Sequence, residues 1–306
     1  MNHLPLPVGV IGVLQTPFHP DGTIDFHSSK RLIEDALASG IDGFLVPAIA
    51  SENAYLSFDE KILLAEKTQD IVGEQVPVIW VASAADPSIT RRLIEQAMAS
   101  HASACLVAAP LGLIRNRSEL VGYFREVTNG MEIPLVIQDW EPNGPGLSIE
   151  DIRALRQSIP AFKAIKVETL PAGPKYTAIL NEFGQDLHVS GGWAVQQYIE
   201  GLDRGVHAMI PECSMIRLYK RIDTLFRGGY RNAAQSLFRQ LLPVLSFTNQ
   251  ELDTSIRFFK RLLVRKGIFA SSCVRLPSGD FDRFSERISD ELIELVLELE
   301  KQIGNN

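Results

Sequence analysis

Short apolar runs recur along the whole chain and alternate with longer amphipathic segments, and this alternation constrains the fold more than any other feature. The runs cover residues 8–14, 43–46, 76–81, 104–107, 133–138, 162–167, 187–190 and 208–210. They are bounded mostly by Gly, Pro or Asp and carry almost no polar alternation, as strands buried on both faces do. Between them, residues 28–39, 57–72, 87–100, 118–128, 148–158 and 194–203 read as helices. The second of these opens with Ser57 and Glu60, a Ser-x-x-Glu capping pair. A parallel strand pair requires a crossover, usually a helix. Eight strands interleaved with helices therefore predict an α/β chain, a (β/α)8 TIM barrel. A doubly wound open sheet uses the same elements, but its dinucleotide-binding form carries GxGxxG after the first strand, and no such motif stands here.

After Pro211 the strand pattern stops. Residues 215–227, 231–247, 252–266 and 281–303 read as amphipathic helices, the last with Phe281, Phe284, Ile288, Leu292, Val296 and Leu299 at steps of three and four. The expected organisation is a barrel domain over residues 1–228 bearing the active site, followed by a C-terminal helical extension over 229–306.

Charge and composition narrow the function. With 37 acidic against 30 basic residues, the net charge of -7 gives no footprint for nucleic acid and no attraction to anionic membranes. The first residues lack a basic start, and Pro5, Pro7 and Pro17 interrupt their apolar run, so they make a poor signal peptide. No stretch reaches the roughly 18–20 apolar residues of a membrane span. Cys105, Cys213 and Cys273 are widely spaced with no CxxC pair, which argues against a disulfide framework or zinc site and predicts a cytoplasmic protein. No His has metal-ligand spacing to another His or Cys, and neither HExxH nor GxxxxGK[ST] occurs, so no metal or cofactor is expected.

In a barrel the reactive groups lie at the carboxyl ends of the strands. The sixth strand ends in Lys163-Ala164-Ile165-Lys166-Val167-Glu168. Alternation puts Lys166 and Glu168 on one face and Lys163 on the other. An ammonium at position 166 is partly stripped of water, which favours the neutral amine that attacks carbonyls. An ion pair with Glu168 at the barrel rim is the other reading of the same pattern. Gln138 and Asp139 end the fifth strand, Ser51 and Glu52 follow the second, and Ser190, Gly191 and Gly192 close the seventh. Gln138 can orient a carbonyl or hydroxyl but cannot shuttle protons, whereas Asp139, Glu52 and Glu168 can. Gly191 and Gly192 could offer backbone N–H groups to a carboxylate or phosphate, and Ile210 ends the eighth run.

Taken together, Thr16-Pro17-Phe18, Asp21-Gly22, Ser51-Glu52, Leu56-Ser57, Val76-Pro77-Val78-Ile79, Ile133-Pro134-Leu135, Ile165-Lys166-Val167-Glu168 and Ser190-Gly191 resemble the class I Schiff-base lyases, the family typified by dihydrodipicolinate synthase and N-acetylneuraminate lyase. The resemblance covers nearly the whole chain. It implies a (β/α)8 barrel with C-terminal helices, a homotetramer or homodimer, and Lys166 as the lysine that forms an imine with a small 2-oxo acid such as pyruvate. The chain departs from the family where Gly-Thr-Thr-Gly-Glu becomes Ala48-Ile49-Ala50-Ser51-Glu52 and where a tyrosine followed by Asn becomes Gln138-Asp139. The arginine of the synthases is absent, with Asn143 nearest, and their aromatic pair falls at about Leu111-Gly112. Gln138-Asp139, Lys166-Val167-Glu168-Thr169, Lys260 and Gly267-Ile268-Phe269-Ala270-Ser271 are similar to the 2-keto-3-deoxy-L-arabonate dehydratase branch.

These residues set the expectation. Lys166, Gln138 and Glu168 are the catalytic candidates; Ser51, Glu52, Asp139, Ser190, Gly191, Gly192 and Ile210 are the substrate-binding candidates. The expected activity is dehydration or aldol cleavage of a 2-keto-3-deoxy sugar acid. Synthesis of 4-hydroxy-tetrahydrodipicolinate and a catalytically silent barrel that binds a 2-oxo acid are the alternatives.

Overall fold

The apolar runs form strands because residues apolar on both faces are satisfied only between a packed interior and a covering helix layer. The computed structural model describes residues 5–192, 195–277 and 279–304. Its strands are β1 (Gly9–Val13), β2 (Gly43–Val46), β3 (Val78–Val81), β4 (Ala104–Ala108), β5 (Leu135–Trp140), β6 (Phe162–Glu168), β7 (His188–Gly191) and β8 (Ala208–Met209). They pair in chain order, all parallel where the register is defined, and β8 returns to β1 through Gly9–Ala208 and Val10–Met209. The eight strands close into a barrel, as the alternation predicts.

The crossovers are α1 (Phe26–Ala38), α2 (Phe58–Val72), α3 (Pro87–Ala99), α4 (Arg117–Val127), α5 (Ile149–Ser158), α6 (Ala172–Phe183) and α7 (Tyr198–Asp203). Their starts follow from the sequence. Asp25, Asp86, Asn116 and Ser148 each accept a backbone N–H of the first turn, which supplies partners that the helix itself lacks there. The Ser57–Glu60 pair forms as expected, with Ser57 N–H donating to Glu60 Oε2 at 2.8 Å and Glu60 N–H to Ser57 Oγ at 3.2 Å. The helix expected over 194–203 begins on Ala194, which lies outside the described residues; the described helix starts at Tyr198. Helix α6 carries no expectation in the sequence, because Pro171, Gly173 and Pro174 obscure its first turn.

Among the described residues four further helices follow, α8 (Ile216–Arg227), α9 (Arg231–Thr248), α10 (Leu252–Arg265) and α11 (Arg283–Gly304). The chain packs as two compact units. The first holds the stretch up to Ile11, Asp42–Val46 and Gly73–Ile210, and with them strands β2 to β8, part of β1 and helices α3 to α7. The second holds Gly12–Ile41, Pro47–Val72 and the chain from Pro211 onward. The described residues from 229 onward, expected as a C-terminal helical extension, belong to the second unit together with α1, α2 and α8. Leu32, Ile222, Leu241, Leu262 and Val296 supply its buried core. Arg217–Asp35 at 2.7 Å and Lys266–Glu300 at 2.9 Å are ion pairs within it.

Register in the first unit places the chemistry. Ala108, Gln138, Lys166, Ser190 and Ala208 stand opposite one another across β4, β5, β6, β7 and β8. Barrel layers are ordinarily filled by branched apolar side chains. Here one register row across five neighbouring strands combines two alanines with a glutamine, a lysine and a serine.

Candidate active site

Alternation along β6 has the outcome that the sequence predicts. Lys163 is exposed, whereas Lys166 retains 5% of its accessible surface and Glu168 9%. The Lys166 Nζ lies 2.9 Å from Glu168 Oε1, and the Gln138 amide donates to the other oxygen, Glu168 Oε2. A buried carboxylate is tolerated only when its oxygens are paired, and here an ammonium and an amide engage one each. Lys166, Gln138 and Glu168 are thus brought together. The ion pair of the alternative reading exists, and it joins the same groups that the catalytic reading needs.

Ser190, buried and beside Lys166 in register, donates through Oγ to the Ile165 carbonyl at 3.3 Å. Gly191 and Gly192 are glycines for reasons of space, since neither has a positive φ. A Cβ on Gly192 would stand 2.2 Å from Glu168 Oε1, and one on Gly191 would stand 2.6 Å from the Tyr176 hydroxyl. The Gly192 N–H, expected to face an anion, donates to the Val167 carbonyl at 3.3 Å, and Ile210 N–H donates to the Gly191 carbonyl at 2.8 Å. The glycine pair lets the Glu168 carboxylate lie directly on the strand backbone.

Asp139 faces away from Gln138, since neighbours on a strand alternate. Its carboxylate pairs with Lys175 of α6 and accepts the Leu147 N–H at 2.8 Å. Burial pushes the Asp139 carboxyl up against the pull of Lys175, and burial lowers the Lys175 ammonium against the pull of Asp139. Lys175 is not among the residues singled out from the sequence. Its signal is an outward-facing acid at a strand exit, which requires a cation from a neighbouring helix.

Ser51 and Glu52 belong to the second unit. The Ser51 hydroxyl accepts Ala48 N–H at 2.9 Å and donates to the Leu14 carbonyl. Glu52 is left-handed, with φ 59°, and its carboxylate pairs with Lys260 and accepts the Arg275 N–H at 2.6 Å. The side chains of Glu52 and Lys260 have no exposed surface. Lys260 Nζ and Arg275 Cζ lie 4.3 and 4.4 Å from the Phe18 ring centre, distances at which an aromatic ring attracts a cation. Burial draws the Lys260 ammonium down to about 8 despite Glu52. Ser51 and Glu52 thus have structural partners inside their own unit. Among the described residues no cluster of His, Cys, Asp and Glu could hold a metal, and no helix is long and apolar enough to cross a membrane.

The sequence profile of the Dihydrodipicolinate synthetase family matches residues 6–295. The chain belongs to this family. It is accordingly a lyase of the dihydrodipicolinate synthase family, which the earlier resemblance indicated. A 4-hydroxy-tetrahydrodipicolinate synthase of Bifidobacterium longum is 24% identical over 273 residues, 88% of each chain. An L-2-keto-3-deoxyarabonate dehydratase of Azospirillum brasilense is 23% identical over 275 residues, again 88% of each. Among solved structures, a dihydrodipicolinate synthase of Rhodopseudomonas palustris superposes with a TM-score of 0.85 at 24% identity, covering 94% of this chain and 97% of its own. That likeness establishes the family's barrel fold for this chain.

Proposed function

We propose that this family member dehydrates a 2-keto-3-deoxy sugar acid through an imine on Lys166. The observation that carries the reading is the buried trio, with Lys166 Nζ 2.9 Å from Glu168 Oε1 and Gln138 bound to the same carboxylate. Glu168 stands where it takes a proton from the Lys166 ammonium, and the neutral amine then adds to the C2 ketone. Glu168 returns the proton to the carbinolamine hydroxyl, water leaves, and a protonated imine remains. That cation is an electron sink for C3. Glu168 removes a C3 proton to give the enamine, the enamine expels the C4 hydroxyl, and Glu168 protonates the hydroxyl as it departs. Water then hydrolyses the imine, which frees the dehydrated acid and Lys166.

Gln138 replaces the tyrosine of the family pattern and carries no titratable proton, so within the trio only Glu168 serves as acid and base. Gln138 orients that carboxylate, and Ser190, one strand along from Lys166, binds the substrate carboxylate. Asp139 acts as an anchor for α6 and the loop after β5, not as a substrate contact. Two observations favour dehydration over the synthase reaction. Position 143, nearest to the arginine of the synthases, is Asn, and the cations beside it are matched, Arg115 by Glu141 at 2.7 Å and Lys175 by Asp139. The relative from Azospirillum brasilense, named as a dehydratase, shows that such activity occurs among proteins similar to this chain.

The test is product identification. The protein is incubated separately with pyruvate plus aspartate semialdehyde and with 2-keto-3-deoxypentonates. Loss of water from a pentonate supports the proposal; cleavage to pyruvate and an aldehyde, or turnover of the first mixture alone, defeats it.

A further inference from the structure

Trp140 ends β5 opposite Glu168 in register. Gln138, two residues earlier, contacts Glu168 through its side chain, so alternation puts Trp140 on the barrel-interior face of the same strand. The residue is only partly buried, and among the described residues no hydrogen bond or ring contact engages its indole. An indole level in register with the acid–base group, with neither its face nor its N–H engaged among the described residues, requires an explanation.

The backbone around it is unusually well fastened. On one side Asp139 pairs with Lys175 and accepts Leu147 N–H at 2.8 Å. On the other, Glu141 accepts two hydrogen bonds from Arg115 Nη2, at 2.7 and 2.8 Å, and the Gly146 N–H at 2.8 Å. Arg115 Nη1 also donates to the Gly146 carbonyl at 3.2 Å. Gly146 has φ +66°, and a Cβ there would lie 2.1 Å from Asp139 Oδ1, so the loop closes on Asp139 only because this residue is glycine. Two acids flanking Trp140 thus fold the loop from residue 141 to residue 147 back on itself. Such a frame presents an aromatic ring at little conformational cost. It also matches its own cations, Arg115 with Glu141 and Lys175 with Asp139, and so offers no clamp for a second carboxylate.

We propose that Trp140 is the specificity residue of the site: its indole packs against the C–H faces of an uncharged, hydroxylated substrate tail beyond C3. Its N–H donates to one tail hydroxyl. This deepens the reading above and rests on Lys166 forming the imine. It names the substrate class as 2-oxo acids with a neutral polyol tail, as distinct from pyruvate or a dicarboxylic acid.

The experiment needs no turnover. Borohydride trapping on the full chain is titrated with pyruvate, which has no tail, and with 2-keto-3-deoxypentonates, and the labelled protein is measured by intact mass. In Trp140→Ala the half-saturating concentration for the pentonate rises roughly ten-fold, as expected from exposing about 50 Å² of apolar contact, while that for pyruvate stays within two-fold. Trp140→Phe, which keeps a ring, recovers most of the loss. The inference is overturned if Trp140→Ala leaves the pentonate value unchanged or shifts both values alike. It is also overturned if the parent protein traps pyruvate but no pentonate. If the parent traps neither, the imine assignment itself is wrong and this inference goes with it, a result distinct from the other two.

Discussion

Replacing Glu168 by Gln separates imine formation from the proton transfers that follow it. The substitution keeps the side-chain volume and removes the charge and the acid–base function. In the parent, Oε1 faces the Lys166 ammonium at 2.9 Å and Oε2 faces the Gln138 amide donor. A carboxamide has only one acceptor oxygen, so one of the two donors is left opposite an NH2 group. Losing a hydrogen bond to a charged group at a buried site costs about 1.5–3 kcal/mol of stability. The catalytic loss is larger. Removing a positioned general base costs about 10²–10⁴-fold in rate, equivalent to about 2.7–5.5 kcal/mol of barrel-site transition-state stabilisation. The assay is exchange of the pyruvate C3 protons in D2O, followed by NMR, alongside borohydride trapping. Glu168→Gln should still trap pyruvate on Lys166 while C3 exchange falls by at least 10²-fold. Exchange within a few-fold of the parent, with trapping intact, would refute Glu168 as the base.

The other predictions test the frame around this group. Gly192→Ala drives a Cβ to 2.2 Å from Glu168 Oε1, so it should lower stability by about 1–3 kcal/mol and slow C3 exchange, with trapping retained. Normal exchange in that variant would mean that Glu168 tolerates displacement. Lys260→Met strands the Glu52 carboxylate in a site with no exposed surface, and should cost about 3–5 kcal/mol in urea unfolding. Adding Glu52→Gln should recover part of that loss, and strict additivity would contradict the pairing.

His188 supplies a pH dependence. Its Nε2 bonds the Pro7 carbonyl at 2.9 Å, its ring stacks on His207 at 4.8 Å, and its buried Nδ1 has no hydrogen-bond partner among the described residues. Burial draws its pKa from 6.5 to about 4, so the folded state favours the neutral ring. The stabilisation is therefore complete above pH 6.5 and is lost as pH falls toward about 4, by about 3 kcal/mol in all. His188→Gln should flatten that limb of a stability–pH curve; an unchanged slope would assign it to other groups.

Much of the barrel is legible in the sequence because its strands are satisfied by local chemistry. Apolar runs bounded by Gly, Pro and Asp place β1 to β8 within about two residues of their observed limits. The same alternation separates Lys163 from Lys166 correctly. Helix α6 is hidden because Pro171, Gly173 and Pro174 read as a turn, although all three are compatible with a first helical turn. With α6 hidden, Lys175 could not be seen as the partner of Asp139. Long-range pairing explains the remaining misses. Glu52 and Lys260 are 208 positions apart, and no local pattern says that these two charges share one buried site. Gly191 and Gly192 illustrate the opposite difficulty, because a glycine pair near a helix start suggests an anion-binding turn. Its contacts show a need for room beside the Tyr176 hydroxyl and the Glu168 carboxylate.

Imine formation depends on one nitrogen, and intact-mass analysis after borohydride reduction with pyruvate reads its reaction without turnover. A single adduct is expected, which peptide mapping places on Lys166 and which Lys166→Ala abolishes without loss of fold. An adduct that persists in Lys166→Ala, or saturable pyruvate binding by the parent protein with no adduct at all, would contradict it.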